Sequence, residues 1–481
     1  MKLNFRKELI SGVIYTGIGK YSSLLISLII TAILARLLSP NDFGIIAIAT
    51  VIITFFNLIS EIGIAPAIVQ YKELSKEDIS NIFSLTVYIG LIISILFYYL
   101  SPYIAYFYNN STLANMLQWL SINLFFATLN IVPNSMFYRD KKFKFISIRT
   151  FCIQLIVGII SIIAALYGLG VYSLIISPIM SSLMIFIISY KYYPQKFQLL
   201  ININPIKKIF NFSIFQFLYN IIGYLTRNLD KILIGKYLDM NSLGYYEKSY
   251  RLMMLPLSNI SNVINPVLHP IFSDYQNQVD EMENKYTKLI VFLGYIGIYI
   301  SIVLYFCSEN IILIIYGDQW INSIDVFKIL ALSIPLQMIM SPCGAIYQAT
   351  NSTKIMFYFS VISIFTTILG FILSIIIWKS TIAIAYSFTL SVIINCIIGY
   401  YTIYKFIFKK KFAIFIRNFS HPIILYILLF ITLLIYNKYL HINNIYISLI
   451  AIATFTLLFE ISYIHHFKIY EIKNLKRYII K

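Results

Sequence analysis

Arg227, Asp230 and Lys231 fall within about one turn of an otherwise apolar stretch, and a single carboxylate leaves roughly one positive charge there unneutralised. A guanidinium presents a rigid fork of N–H donors that matches phosphate or carboxylate oxygens, and an ammonium adds a point charge. The chemistry on offer is recognition of an anion. Arg251 opens a second polar row, Arg251, Leu255, Ser258, Asn262, Asn265 and His269, whose spacing keeps it on one helix face. A third row, Thr50, Thr54, Asn57 and Glu61, has the same character. Two roles fit Arg227: contact with a bound anion, or a bridge to Asp230 while Lys231 snorkels outward. Glu61 fits ion coupling, pairing with a cation, or a place facing the cytoplasm, and Asp230 shares the ion-coupling role.

The row around Arg227 has a counterpart near the start of the chain. Thr16, Lys20, Ser23, Ser27 and Thr31 recur in the same phase as Gln216, Asn220, Gly223, Arg227 and Lys231. Both rows run into a matching exit. Leu34-Ala35-Arg36-Leu37-Leu38 and Asn41-Asp42-Phe43-Gly44 align with Ile234-Gly235-Lys236-Tyr237-Leu238 and Asn241-Ser242-Leu243-Gly244, and Pro66 aligns with Pro266. Shared phase, turn and proline together point to a duplication. The candidate binding set is therefore Arg227, Lys231, Asp230, Arg251, Asn220, Gln216, Lys20 and Ser27.

These residues sit in a membrane protein. Of 481 residues, 59% are hydrophobic and 12% are charged, far less charge than a soluble surface of this size displays. Apolar runs long enough to cross ~30 Å of hydrocarbon follow one another throughout. Fourteen are predicted: 13–36, 43–69, 80–104, 113–137, 145–168, 171–193, 210–237, 243–268, 286–307, 326–349, 355–378, 381–405, 418–437 and 445–466. Polar and apolar residues do not alternate, so the spans are helices and not barrel strands. With the N-terminus inside, 28 of the 37 Lys and Arg fall in inner segments and seven in outer ones, the bias that orients membrane helices. The net charge of +18 is thus a topology signal. It is shared among eight inner segments and not gathered on one nucleic-acid-binding face. Met1–Lys7 resembles the start of a signal peptide, but the run behind it is too long for one and should remain as the first span.

An even number of spans separates the two polar rows, so the repeats run parallel about an axis along the membrane normal. The expected architecture is an all-α integral membrane protein of about 14 transmembrane helices. Residues 1–193 form one six-helix lobe, 194–209 a cytoplasmic linker, 210–405 a second lobe, and 406–481 two extra helices with a basic tail. The polar rows face each other across a central cavity. Cys152, Cys307, Cys343 and Cys396 lie singly in apolar spans, and the five histidines have no ligand spacing, so packing is their expected role and no metal or cofactor is implied. No Ser-His-Asp set, carboxylate pair or phosphate-cradling glycine loop falls in a loop that could hold a substrate, so no catalytic residue is expected.

The run Ile33-Leu34-Ala35-Arg36-Leu37-Leu38-Ser39-Pro40-Asn41-Asp42-Phe43-Gly44, followed by Glu61-Ile62-Gly63-Ile64 and Ala67-Ile68-Val69-Gln70, resembles the start of bacterial polysaccharide transporters. These are the Wzx-type flippases of O-antigen, capsule and exopolysaccharide repeat units. A second stretch, Arg227 to Gly235 with Leu243-Gly244-Tyr245-Tyr246 and Tyr250-Arg251-Leu252-Met253, is similar to the same family, nearest its colanic-acid-type branch. The resemblance covers about residues 5 to 440. It implies the multidrug/oligosaccharidyl-lipid/polysaccharide exporter fold in the bacterial inner membrane, and the charge bias with fourteen spans puts both termini in the cytoplasm. By that resemblance the cargo is an oligosaccharide on undecaprenyl diphosphate, and the partners are membrane lipid, a polysaccharide polymerase and chain-length machinery. An ion-coupled drug antiporter on the same fold is the alternative, although it would favour an acidic cavity. A membrane glycosyltransferase or polymerase would need a larger catalytic loop than any here.

Overall fold

The computed structural model describes residues 2–71, 73–199, 217, 221, 223–225, 227–276, 278–439 and 444–467. Among them there is no β-strand. Among the described residues, eleven helices are long and apolar enough to cross a membrane, and a pair bent by 46°, Asp318–Ala331 with Ile334–Ala349, makes twelve if taken as one span. The two remaining predicted spans are the ones that carry the charged rows. Residues 210–237 lie partly outside the described residues. Residues 243–268 lie in one continuous 34-residue helix, Met240–Ser273, whose polar row keeps it outside the apolar set.

The chain separates into two compact units, Met1–Gly244 and Tyr245–Lys481. The first contains α1 (Lys2–Leu37), α2 (Pro40–Glu61), α3 (Ile64–Gln70), α4 (Lys76–Phe107), α5 (Ser111–Leu129), α6 (Ile131–Arg139), α7 (Phe143–Leu166), α8 (Tyr172–Tyr192) and α9 (227–237). α4 packs along α5, α1 along α7, and α8 against both α5 and α7. In hydrocarbon, side-chain amides bind helices by hydrogen bonds. Gln154 Nε2 of α7 donates to the Ser23 carbonyl of α1 at 2.9 Å, and Asn123 Nδ2 of α5 donates to the Pro178 carbonyl of α8 at 2.7 Å. Ser39 with Asp42 and Ser75 with Asp78 form capping boxes that start α2 and α4.

Two spans expected as single helices are broken here. The 43–69 span divides where Ile62 (φ 41°) and Gly63 (φ 68°) both enter the left-handed region, which ends α2 and starts α3. The 113–137 span divides at Asn130 into α5 and α6.

The second unit is built on α10 (Met240–Ser273, which begins in the first), α11 (Val279–Phe306), α12 (Ser308–Ile315), α13 (Ile324–Ala331), α14 (Ile334–Met340), α15 (Cys343–Ala349), α16 (Thr353–Trp378), α17 (Thr381–Thr402), α18 (Ala413–Asn418), α19 (Ser420–Tyr439) and α20 (Ile445–His466). The expected 326–349 span is three pieces, α13 to α15, with Pro335 and Pro342 at the starts of the last two. α11 is central and touches α13, α14, α19 and α20. Its core is aromatic: Tyr400 stacks on Phe415 at 4.2 Å, and the Tyr400 hydroxyl donates to the Ile339 carbonyl. Large apolar side chains such as Phe357, Phe365 and Ile376 of α16 are exposed, as suits helices solvated by lipid.

Candidate functional site

α9 holds the expected anion site, and its charges are divided between opposite environments. Arg227 is exposed, Lys231 one turn on is half-buried, and Asp230 is 3% exposed. An i, i+4 spacing puts Arg227 and Lys231 on one face. Asp230 turns inward, and its Oδ1 accepts from the Lys231 backbone N–H at 2.8 Å. The guanidinium folds back over Gly223, where an added Cβ would lie 3.4 Å from Arg227 Nη1. That absent side chain leaves the fork room at the helix surface.

α2 fixes the position of this segment. Tyr224 is buried and its hydroxyl donates to the Val51 carbonyl at 2.6 Å, while Gly235 lies against Ile48. Pro40, Gly44, Ile48 and Val51 thus form the face of α2 that meets residues 224–244. The row Thr50, Thr54, Asn57 and Glu61 runs beside that face, with Glu61 half-buried at the helix end. On α1, Lys20 is exposed and Ser27 is half-buried, so Lys20, Ser27, Glu61, Arg227, Asp230 and Lys231 all belong to the first unit. Gln216 and Asn220 lie outside the described residues.

Arg251 is exposed on α10 and belongs to the second unit. Of its row, Asn265 accepts from Ser341 Oγ at 3.0 Å, and the same hydroxyl reaches Ser261 Oγ at 2.8 Å. This seam ties α10 to the break between α14 and α15.

Two buried cations stand where the sequence suggests loop or interfacial charges. Lys248 of α10 is 2% exposed, and its ammonium faces the rings of Tyr316 and Trp320 at 5.1 and 5.7 Å. Arg149, near the inner start of the expected 145–168 span, is 7% exposed and lies within α7. Its Nη1 donates to Ser189 Oγ at 2.6 Å and its Nη2 to Asn134 Oδ1 at 2.8 Å, and the guanidinium lies over the Phe137 ring at 5.2 Å. It therefore joins α6, α7 and α8. The only hint in the sequence is that an arginine two turns into an apolar helix needs partners. Of the four cysteines, three are buried as packing residues, whereas Cys152 is exposed on α7.

A family model described as "Polysaccharide biosynthesis protein" matches residues 33–325, and one described as "Lipid II flippase MurJ" matches residues 201–455. The chain belongs to the polysaccharide biosynthesis protein and lipid II flippase MurJ families. Among its relatives, an uncharacterized membrane protein in the cps region of Klebsiella pneumoniae is 22% identical over 95% of this chain and 93% of its own. The lipopolysaccharide biosynthesis protein WzxC of Escherichia coli (strain K12) is 24% identical over 87% of this chain and 86% of its own. Among solved structures, lipid II flippase MurJ in an inward closed conformation superposes with a TM-score of 0.74 at 18% identity, covering 95% of this chain and 100% of that one. An inward-facing multidrug resistance transporter of the MATE family, in the MOP superfamily, gives 0.55 at 13% identity, covering 78% and 92%. The fold is that of this superfamily. The families and relatives are transport and biosynthesis membrane proteins and not enzymes, which removes the glycosyltransferase and polymerase readings.

Proposed function

We propose that this protein is a flippase that moves undecaprenyl-diphosphate-linked polysaccharide repeat units from the inner to the outer leaflet by alternating access. The observation that carries this is the division of charge on α9, where Arg227 is exposed, Lys231 shares its face, and the carboxylate between them is turned inward. A diphosphate satisfies such a pair, and sugars and diphosphate can occupy a polar cavity while the prenyl tail stays in lipid. The lobes, 1–193 and 210–405, rock about the site, and direction is set by an ion gradient acting through Glu61 or Asp230 or by removal of the cargo outside. An antiporter for organic cations would be opposed by Arg227 and Lys231. Polymerase and chain-length proteins would take the cargo on the outer side. In vesicles, purified protein should accelerate flipping of a fluorescent undecaprenyl-diphosphate oligosaccharide; export of an organic cation with no flipping would overturn the reading.

The same proposal places fourteen spans in the bacterial inner membrane with both termini cytoplasmic. In a background lacking the native cysteines, probes replacing Asn109 or Gly168 should react with an impermeant thiol reagent from outside. Those replacing Lys142, Gln198 or Lys410 should react only after permeabilisation. Reversal of either group would show that the span count is wrong.

A further inference from the structure

Glu460 lies inside α20, the last apolar helix, and is 6% exposed. It shares one face of that helix with Ile452, Thr456 and Tyr463, the other buried side chains of α20, and the helix packs on α11 and α19. Its Oε2 has no hydrogen-bond partner, and among the described residues no ion pair involves it. A bare carboxylate charge is costly in hydrocarbon, and a side chain that had only to pack there would be apolar. Glu460 therefore needs a cation that the chain itself does not supply.

The groups around it carry protons. Tyr463, three residues on, lies on the same face, and its hydroxyl is 3.5 Å from Nδ1 of His421 at the start of α19. Tyr463 is buried and His421 is exposed. From α11, Tyr299 stands within electrostatic reach of Glu460, and Tyr295 lies one turn before it on the same side. α12 meets the other end of α20, where Asn310 donates to the Ile445 carbonyl at 3.1 Å, about 22 Å along the helix from Glu460. By the charge topology α20 ends on the inner side, so His421, Tyr463 and Glu460 form a row leading from the cytoplasmic surface into the membrane. Imidazole and phenol pass protons. A metal ion would need several oxygens together, and among the described residues no three His, Cys, Asp or Glu gather to hold one.

We propose that Glu460 is a proton-binding site within the C-terminal helix pair, reached from the cytoplasm through His421 and Tyr463. Uptake of a proton leaves a neutral carboxyl between α20 and α11. Release returns the proton to the inner water along the same row and leaves a carboxylate in the seam. The proposal uses the topology above but not the cargo, so it stands or falls apart from the flippase reading. Infrared difference spectra of the protein in lipid vesicles, recorded as the pH is stepped from about 5 to about 10, test it over the span in which buried carboxyls titrate. The wild type should show the carbonyl stretch of a protonated carboxyl that disappears as the pH rises. Glu460→Gln should lack that band and Glu61→Gln should keep it. His421→Ala should keep the band but slow its exchange in heavy water by roughly tenfold or more, because the relay to water is cut. If the glutamine variant does not fold, Glu460→Asp, which holds the acid on a shorter stem, should displace the band. No band, a band that persists unchanged across the whole range, or one that Glu460→Gln or Glu460→Asp leaves as it is overturns the site. Exchange as fast in His421→Ala as in the wild type overturns the route.

Discussion

Replacing Arg227 with alanine is expected to lower flipping of the lipid-linked oligosaccharide by about a hundredfold or more, the effect of losing two charge-assisted hydrogen bonds to phosphate oxygens. Insertion and thermal stability should stay near wild type, because the side chain is exposed and lies over Gly223 instead of filling a core. Arg227→Lys should regain part of the rate, since an ammonium supplies the charge without the two-pronged geometry. The assay is flipping in vesicles at matched protein density. An alanine variant that flips at full rate would remove Arg227 from the binding site. One that loses both stability and transport would point to the alternative, a bridge with Asp230.

Arg149→Ala should produce the largest loss of stability, about 3–5 kcal/mol, because it removes a buried charged donor from two acceptors and leaves a cavity under α7. Ser189 Oγ and Asn134 Oδ1 would each lose the donor that now ties α8 and α6 to α7. Arg149→Met should cost much less, since an apolar chain of similar length keeps the packing and avoids carrying a guanidinium into the interior. Melting midpoints in detergent test the pair. An alanine variant that melts with the wild type would show that the three-helix tie carries little. A methionine variant that is stable but cannot transport would show that the charge itself is used.

These two arginines also show how far the sequence could be read. Apolar runs placed α4 as a span at 80–104 and the structure has it at Lys76–Phe107, because long hydrophobic segments have few alternatives in lipid. The grouping of Arg227, Asp230 and Lys231 on one helical stretch was legible because neighbours in sequence are also neighbours on a helix. Arg149 and Lys248 were not, since their surroundings come from residues remote in the chain, Ser189 and Asn134 for one, Tyr316 and Trp320 for the other. Counting positive charges near span ends assigns each such residue a side of the membrane, whereas α7 carries Arg149 inside with its partners on two other helices. The helix breaks were hidden for another reason. Ile62 is strongly apolar, and its left-handed backbone leaves no trace in hydrophobicity; the adjoining Gly63 is the residue type that such a helix end favours.

The turns at 39–42 and 239–242 show the same job done with the two residues exchanged. One uses serine then aspartate, the other aspartate then serine, and both begin a helix. What the backbone requires is an oxygen that accepts from the N–H three positions on, and either a hydroxyl or a carboxylate supplies it. Two helix starts of common shape can therefore differ at nearly every position while each still folds. Gly44 and Gly244 have no such freedom, because a Cβ on the first would lie 1.8 Å from the Met240 carbonyl oxygen and one on the second 2.0 Å from the Pro40 carbonyl oxygen. At such helix starts the residues that bond have chemical substitutes, and those that leave space have none.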